Sequence, residues 1–181
     1  LQIIGVREYI RRASGAYIAV TDSGVKFLAD TTVNIAPDAQ TLAEIAINTA
    51  ELAQTFDIDP SVAMLSYSNF GNSDHPRASK VAEATRIVKT RRPDLELDGE
   101  MQVDVALDQE LRQSTFEFAE LSDEANVLIF PTLNAGNIGY KLINHLSPAE
   151  LIGPVLLGMK KPVNILQRAC GVSSVVNLTV L

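Results

Sequence analysis

Short apolar runs at residues 16–20 (Ala-Tyr-Ile-Ala-Val) and 25–29 (Val-Lys-Phe-Leu-Ala) flank the tetrapeptide Thr21-Asp22-Ser23-Gly24. Asp, Ser and Gly favour tight turns, so this stretch predicts a β-hairpin. From residue 38 to residue 56 the period changes. Leu42, Ile45, Ala46, Thr49, Ala50, Ala53 and Phe56 recur at helical spacing, which predicts an amphipathic helix with Asp38 as its N-cap. Beyond it the pattern predicts strands at residues 62–66, 95–97, 126–130, 154–157, 163–166 and 175–180. Helices are predicted at residues 78–89, 103–112 and 137–146. Continuous apolar strands alternating with helices define an α/β fold. The expected architecture is a mostly parallel sheet with helices on both faces, plus the N-terminal hairpin. No internal repeat, low-complexity tract or long linker interrupts the pattern, so residues 1–181 read as one domain.

Composition narrows the possible functions. At 181 residues the chain can bury roughly 70% of its extended surface, enough for a core without disulfides or metal. Cys170 is the sole cysteine, which fits a reducing compartment, and a cytoplasmic location is expected. His75 and His145 are the only histidines and stand far apart, so no metal site is expected. The formal charge of −7 opposes nucleic-acid binding, and no apolar run approaches the ~20 residues of a membrane-spanning helix. Because the chain opens with Leu1-Gln2-Ile3-Ile4-Gly5 and no methionine, it is expected to be a fragment of a longer protein.

Ligands of open α/β sheets bind at the carboxyl ends of the strands. Three segments leave such ends with small or polar residues: 66–71 (Ser-Tyr-Ser-Asn-Phe-Gly), 98–102 (Asp-Gly-Glu-Met-Gln) and 131–141 (Pro-Thr-Leu-Asn-Ala-Gly-Asn-Ile-Gly-Tyr-Lys). Serine hydroxyls, glycine-exposed amides and a helix N-terminus suit a phosphate or carboxylate. The same features also serve simply to reverse the chain. Neither G-x-x-x-x-G-K-[ST] nor G-x-G-x-x-G is present. Lys89, Arg91 and Arg92 read as a solvated helix end, and His75, beside Pro76, as solvent-facing. Cys170 suits a small core residue or a reactive thiol, and Asp98 with Glu100 suit carboxylate catalysis or a structural anchor.

Taken together and in order, these three segments resemble successive motifs of the phosphate acetyl/butyryltransferase family, and residues 153–158 (Gly-Pro-Val-Leu-Leu-Gly) and 161–164 (Lys-Pro-Val-Asn) continue the match. Residues 4–8, 29–34 and 68–71, with Gln167 after Lys161-Pro162-Val163-Asn164-Ile165-Leu166, are similar to one subgroup, the C-terminal domains of bacterial multidomain NADP-dependent malic enzymes. The resemblance implies an isopropylmalate dehydrogenase-like fold and a homodimer or higher homo-oligomer. It also implies acetyl-CoA or a related acyl-CoA as ligand, with Ser66, Ser68, Asn69, Asn134, Gly136, Asn137, Lys141 and Arg168 as binding residues.

The departures from the family pattern bear on activity. Working members carry a serine, then an arginine, then an aspartate six residues after the arginine. The arginine is kept as Arg168, whereas Gln167 and Ser174 replace the serine and the aspartate, and Thr132 stands where the family usually has Asp. The resemblance assigns the aspartate the proton of the CoA thiol, whose pKa near ~8.5 calls for a base that a serine hydroxyl cannot supply. The expectation is therefore a regulatory and assembly domain with no catalytic residue and no cofactor of its own. Its parent enzyme would decarboxylate malate to pyruvate with NADP and a divalent metal bound elsewhere. An active phosphate acetyltransferase, or a purely dimerising domain, are the alternatives.

Overall fold

The predicted hairpin forms the middle of the sheet. The computed structural model describes residues 3–8, 10–166 and 170–180. Its first two strands, β1 (Ser14–Thr21) and β2 (Gly24–Ala29), pair antiparallel from Thr21↔Gly24 to Ala16↔Ala29. The turn is closed by the Thr21 hydroxyl, which donates to the Gly24 carbonyl at 2.7 Å. Helix α1 (Ala39–Gln54) follows, and the Asp38 carboxylate accepts from the Thr41 amide at 2.7 Å, the N-cap that the sequence predicts. The chain continues through β3 (Ser61–Leu65), α2 (Pro76–Arg91), β4 (Glu96–Met101), α3 (Val103–Leu107), α4 (Gln109–Thr115) and β5 (Val127–Ile129). The last elements are α5 (Leu133–Leu146), β6 (Glu150–Leu157), β7 (Val163–Asn164) and α6 (Val172–Val180).

The strands form one mixed sheet in the order β4-β3-β5-β2-β1-β6-β7. The β4-β3-β5-β2 half is parallel, and β2-β1-β6-β7 is antiparallel. Alternate side chains feed two cores, as strand periodicity requires. Ala16, Phe27, Val62, Met64 and Ile129 meet Leu42, Ile45, Val81 and Val88 of α1 and α2 on one face. Tyr17, Leu28, Ala63 and Leu128 meet Val105 and Tyr140 of α3 and α5 on the other. Each fully buried aliphatic or aromatic side chain contributes about 1.5–3 kcal/mol.

Several boundaries differ from those read in the sequence; α5, expected from residue 137, already starts at Leu133, and β7, expected to residue 166, ends at Asn164. Residues 175–180, expected as a strand, lie within α6, although Val175, Val176 and Val180 are β-branched. Tertiary contacts override that preference: Leu178 is buried in the first core, and the Asn164 side-chain amide donates to its carbonyl at 2.8 Å. Strand β4 runs on through Asp98 and Gly99 because the β3–β4 register shifts there, so most of the expected loop is strand. Strand β6 passes through Gly153 and Pro154, where its pairing with β1 is irregular; a bulge tolerates the proline. The helix expected at residues 103–112 is two short helices joined at Asp108, which caps the second through the Leu111 amide at 2.9 Å.

Candidate ligand site

The carboxyl ends of β2, β5, β3 and β4 lie on one edge of the parallel half-sheet, with the loops 30–38, 130–132, 66–75 and residue 102 leaving them. At β2 the Asp30 carboxylate is buried and accepts from the amides of Gly15, Thr32, Val33 and Asn34 and from the Asn34 side chain, at 2.6–3.1 Å. That cluster fixes residues 30–34, and α5 starts directly against it. A Cβ on Gly136 would run into the Asp30 carbonyl, so only glycine permits this approach. The Asn137 side chain donates to Thr31 O at 3.3 Å.

The expected anion donors at the start of α5 are largely engaged within the protein. Leu133 N donates to Ile35 O, Ala135 N to the Thr132 hydroxyl and Gly136 N to Thr132 O. Asn134 is exposed on the first turn. On the next strand the loop 66–71 is tied to β4. The Ser68 hydroxyl donates to the buried Glu100 carboxylate at 3.0 Å, and the Gly71 amide donates to the same oxygen at 2.8 Å. Asn69 Oδ1 accepts from Gln102 N at 2.7 Å, so Ser68 and Asn69 are buried parts of the loop's frame. Ser66, half-buried, accepts from the Ser68 amide. Glu100 and Asp98 are thus anchors: Asp98 accepts from Lys89, Gly99 N and Glu120 N. Lys80 spans the same edge, donating to Pro37 O at 2.9 Å and Pro131 O at 2.8 Å. Burial, reinforced by Arg77, pushes the Lys80 pKa below the usual amine value against a smaller opposite pull from Asp38.

Lys141 lies elsewhere. It lines a cavity of about 440 Å³ between α5, β6 and α6, together with His145, Glu150, Cys170, Ser174 and Asn177. Tyr17 and Tyr140, stacked with ring centroids 4.2 Å apart, form part of its wall. Glu150 accepts from the Asn177 side chain at 2.7 Å. Arg168 and Gln167 lie outside the described residues, but Leu166 and Cys170 on either side of them line this cavity.

The expected binding residues therefore fall into two groups. Ser66, Ser68 and Asn69 follow β3 and Asn134, Gly136 and Asn137 open α5 at the same edge, whereas Lys141 faces the cavity beside β1 and β6, which Ser174 also lines. Between β3 and β1 lie β5 and β2, an offset of three strand spacings of about 4.8 Å each. The sequence pattern does not assign Glu150, Asn177, His145 or the tyrosine pair to a site. His145 follows Lys141 by one helical turn, a spacing that places both on one face of α5. The Glu150–Asn177 pair was hidden because residues 175–180 were read as a strand.

Among the described residues there is no cluster of three or more His, Cys, Asp or Glu side chains that could hold a metal, and no helix long and apolar enough to cross a membrane.

The mixed seven-stranded sheet, with polar loops at the carboxyl ends of its parallel half and a separate cavity lined by Lys141 and Glu150 beside its antiparallel half, is an α/β fold of the phosphotransacetylase kind. The chain belongs to the phosphate acetyl/butaryl transferase family, whose pattern matches residues 1–181. Phosphate acetyltransferase of Bacillus subtilis is 44% identical over 181 residues, covering 100% of this chain and 56% of that protein. NADP-dependent malic enzyme of Escherichia coli is 40% identical over 180 residues, covering 99% of this chain and 24% of that protein. A phosphotransacetylase from Streptococcus pyogenes superimposes with a TM-score of 0.94 at 43% identity, over 99% of this chain and 55% of that one. The chain thus spans between a quarter and little more than half of the phosphate acetyltransferases it matches, and about a quarter of the malic enzymes.

Proposed function

We propose that this chain binds acetyl-CoA or a related acyl-CoA as a regulatory and assembly domain of a cytoplasmic NADP-dependent malic enzyme, without transferring the acyl group. The observation that carries this reading is Ser174. It stands where working members of the family have the proton-accepting aspartate, and it lines the same 440 Å³ cavity as Lys141. A hydroxyl at that wall can donate or accept a hydrogen bond, but at neutral pH it does not take the proton of a thiol. Lys141 and Arg168 would meet phosphate oxygens, Asn134 and Ser66 would add hydrogen bonds, and Ser68, Asn69, Gly136 and Asn137 would hold the loops in shape. NADP and the divalent metal would bind in the malate-decarboxylating part of the parent, and the parent would be a homodimer or larger.

A second reading, an active phosphate acetyltransferase, has one observation in its favour: Glu150 supplies a carboxylate to the same cavity. Its bond from Asn177 occupies one oxygen and leaves lone pairs on the other. The two readings separate in one experiment on the intact protein, acetyl phosphate plus CoA with and without Glu150→Gln. Regulation predicts no turnover in either protein, with malate kinetics responding to micromolar acetyl-CoA. Turnover at ordinary enzyme rates that Glu150→Gln abolishes would establish the second reading.

A further inference from the structure

The net negative charge of this chain is concentrated in one place. Residues 103–124 contain Asp104, Asp108, Glu110, Glu117, Glu120, Asp123 and Glu124 against the single base Arg112. The whole chain has 22 acids and 15 bases, so everything outside this stretch holds 15 acids and 14 bases, a net of −1 against −6 within it. Arg112 is fully buried and donates to the carbonyls of Val105, Ala106, Leu121 and Asp123, so its charge holds the stretch together from inside. Lys89 and Lys26 meet Glu120 and Glu124, while Asp104, Asp108, Glu110, Glu117 and Asp123 are exposed.

Apolar surface lies among these acids. Phe118 is 68% exposed, Tyr67 57% and Val103 51%. Phe118 stands edge-on to Phe70 at 5.2 Å and to Phe116 at 6.1 Å, which fixes its ring at the surface. Phe116 also lines a cavity of about 380 Å³ with Arg112, Glu117, Glu120 and Ser122. The buried Nε–H of Arg112 has no acceptor among the described residues, and a carbonyl carried in by an occupant would supply one.

We propose that residues 103–124 form a docking face for a basic protein segment whose lysines or arginines surround an apolar anchor. The anchor would pack on Phe118, a backbone carbonyl of the segment would reach Arg112 Nε in the cavity, and a cationic side chain would meet Glu117 at its rim. Charge complementarity selects this occupant. Nucleic acid and anionic lipid are repelled by the same carboxylates, and the rest of this chain, near neutral, offers a second copy no matching positive field.

The test uses the intact protein and a fluorescein-labelled peptide of alternating lysine and leucine blocks, read by anisotropy. Binding should weaken about tenfold with Phe118→Ser and again with the pair Glu110→Lys and Glu117→Lys, and should fall as salt rises. The charge-matched pair Glu8→Lys and Asp22→Lys, remote in sequence and exposed, should change it by less than about twofold. Phe118 is largely exposed, so its replacement leaves the cores intact. Equal loss in both charge pairs, no effect of Phe118→Ser, or equally tight binding of a glutamate–leucine peptide would overturn the proposal. So would a protein dimer that Phe118→Ser splits, because the face would then pair with its own copy.

Discussion

Asp30 organises the end of β2 because it is a carboxylate with five N–H groups pointed at it and no room for anything else. In Asp30→Asn one oxygen becomes an NH₂ that faces donors, so a buried bond is lost and a repulsion replaces it. The expected loss is about 3 kcal/mol in urea unfolding. Gly136→Ala should cost about 2 kcal/mol, because its methyl meets the Asp30 carbonyl and α5 must shift. Asp38 carries a pH signature. The Thr41 side chain and amide hold its carboxyl below the ordinary 3.8 against the opposing effect of burial, and Arg11 adds a lesser pull in the same direction. A depressed folded-state pKa gives stability that is present above the unfolded value and lost as pH falls through the lower folded one. The stability gap between the wild type and Asp38→Ala, about 1 kcal/mol at neutral pH, should therefore close as the solution is acidified below 3.8. Urea midpoints measured across that range check it. The Asp38 cap was legible in the sequence because capping is local. The Asp30 cluster was not, since its Gly15 donor is supplied by another strand.

At the scale of elements, the sequence defined the hairpin, α1, α2 and the apolar strands, each of which has a strong period of its own. It misassigned residues 175–180, whose valines favour a strand in isolation. Their helix is set by Leu178 in the core and by Asn164 and Asn177 reaching other elements, partners no local window contains. The α6 side of the cavity is therefore not legible in the sequence. Lys141 was identified, but its neighbours Glu150 and Asn177 come together only when α6 packs against β6. The excursion through α3 and α4 depends on Arg112 in the same non-local way. Arg112→Leu removes the donors from four carbonyls and should destabilise the protein by about 3 kcal/mol, with hydrogen exchange accelerating first in residues 103–124. Arg112→Lys, with a charge but no fork of donors, should recover only part of that loss.

Across the whole molecule, the parallel half of the sheet presents well-braced loops, and the antiparallel half builds the cavity that holds Lys141 and Ser174. The family framework is intact, while the position that would accept a thiol proton carries a hydroxyl. On the reading proposed above, that combination would give binding without transfer. If the intact protein binds acetyl-CoA at this cavity, ligand at a hundred times its dissociation constant should add about 2.7 kcal/mol of stability, read as a rise in Tm that Lys141→Ala reduces. The most direct test is the initial rate of acetyl-CoA formation from acetyl phosphate and CoA by the intact protein. The regulatory account predicts a rate indistinguishable from buffer, and gain of activity only when Gln167→Ser and Ser174→Asp are introduced together. Turnover by the unmodified protein at ordinary enzyme rates, abolished by Arg168→Ala, would contradict it.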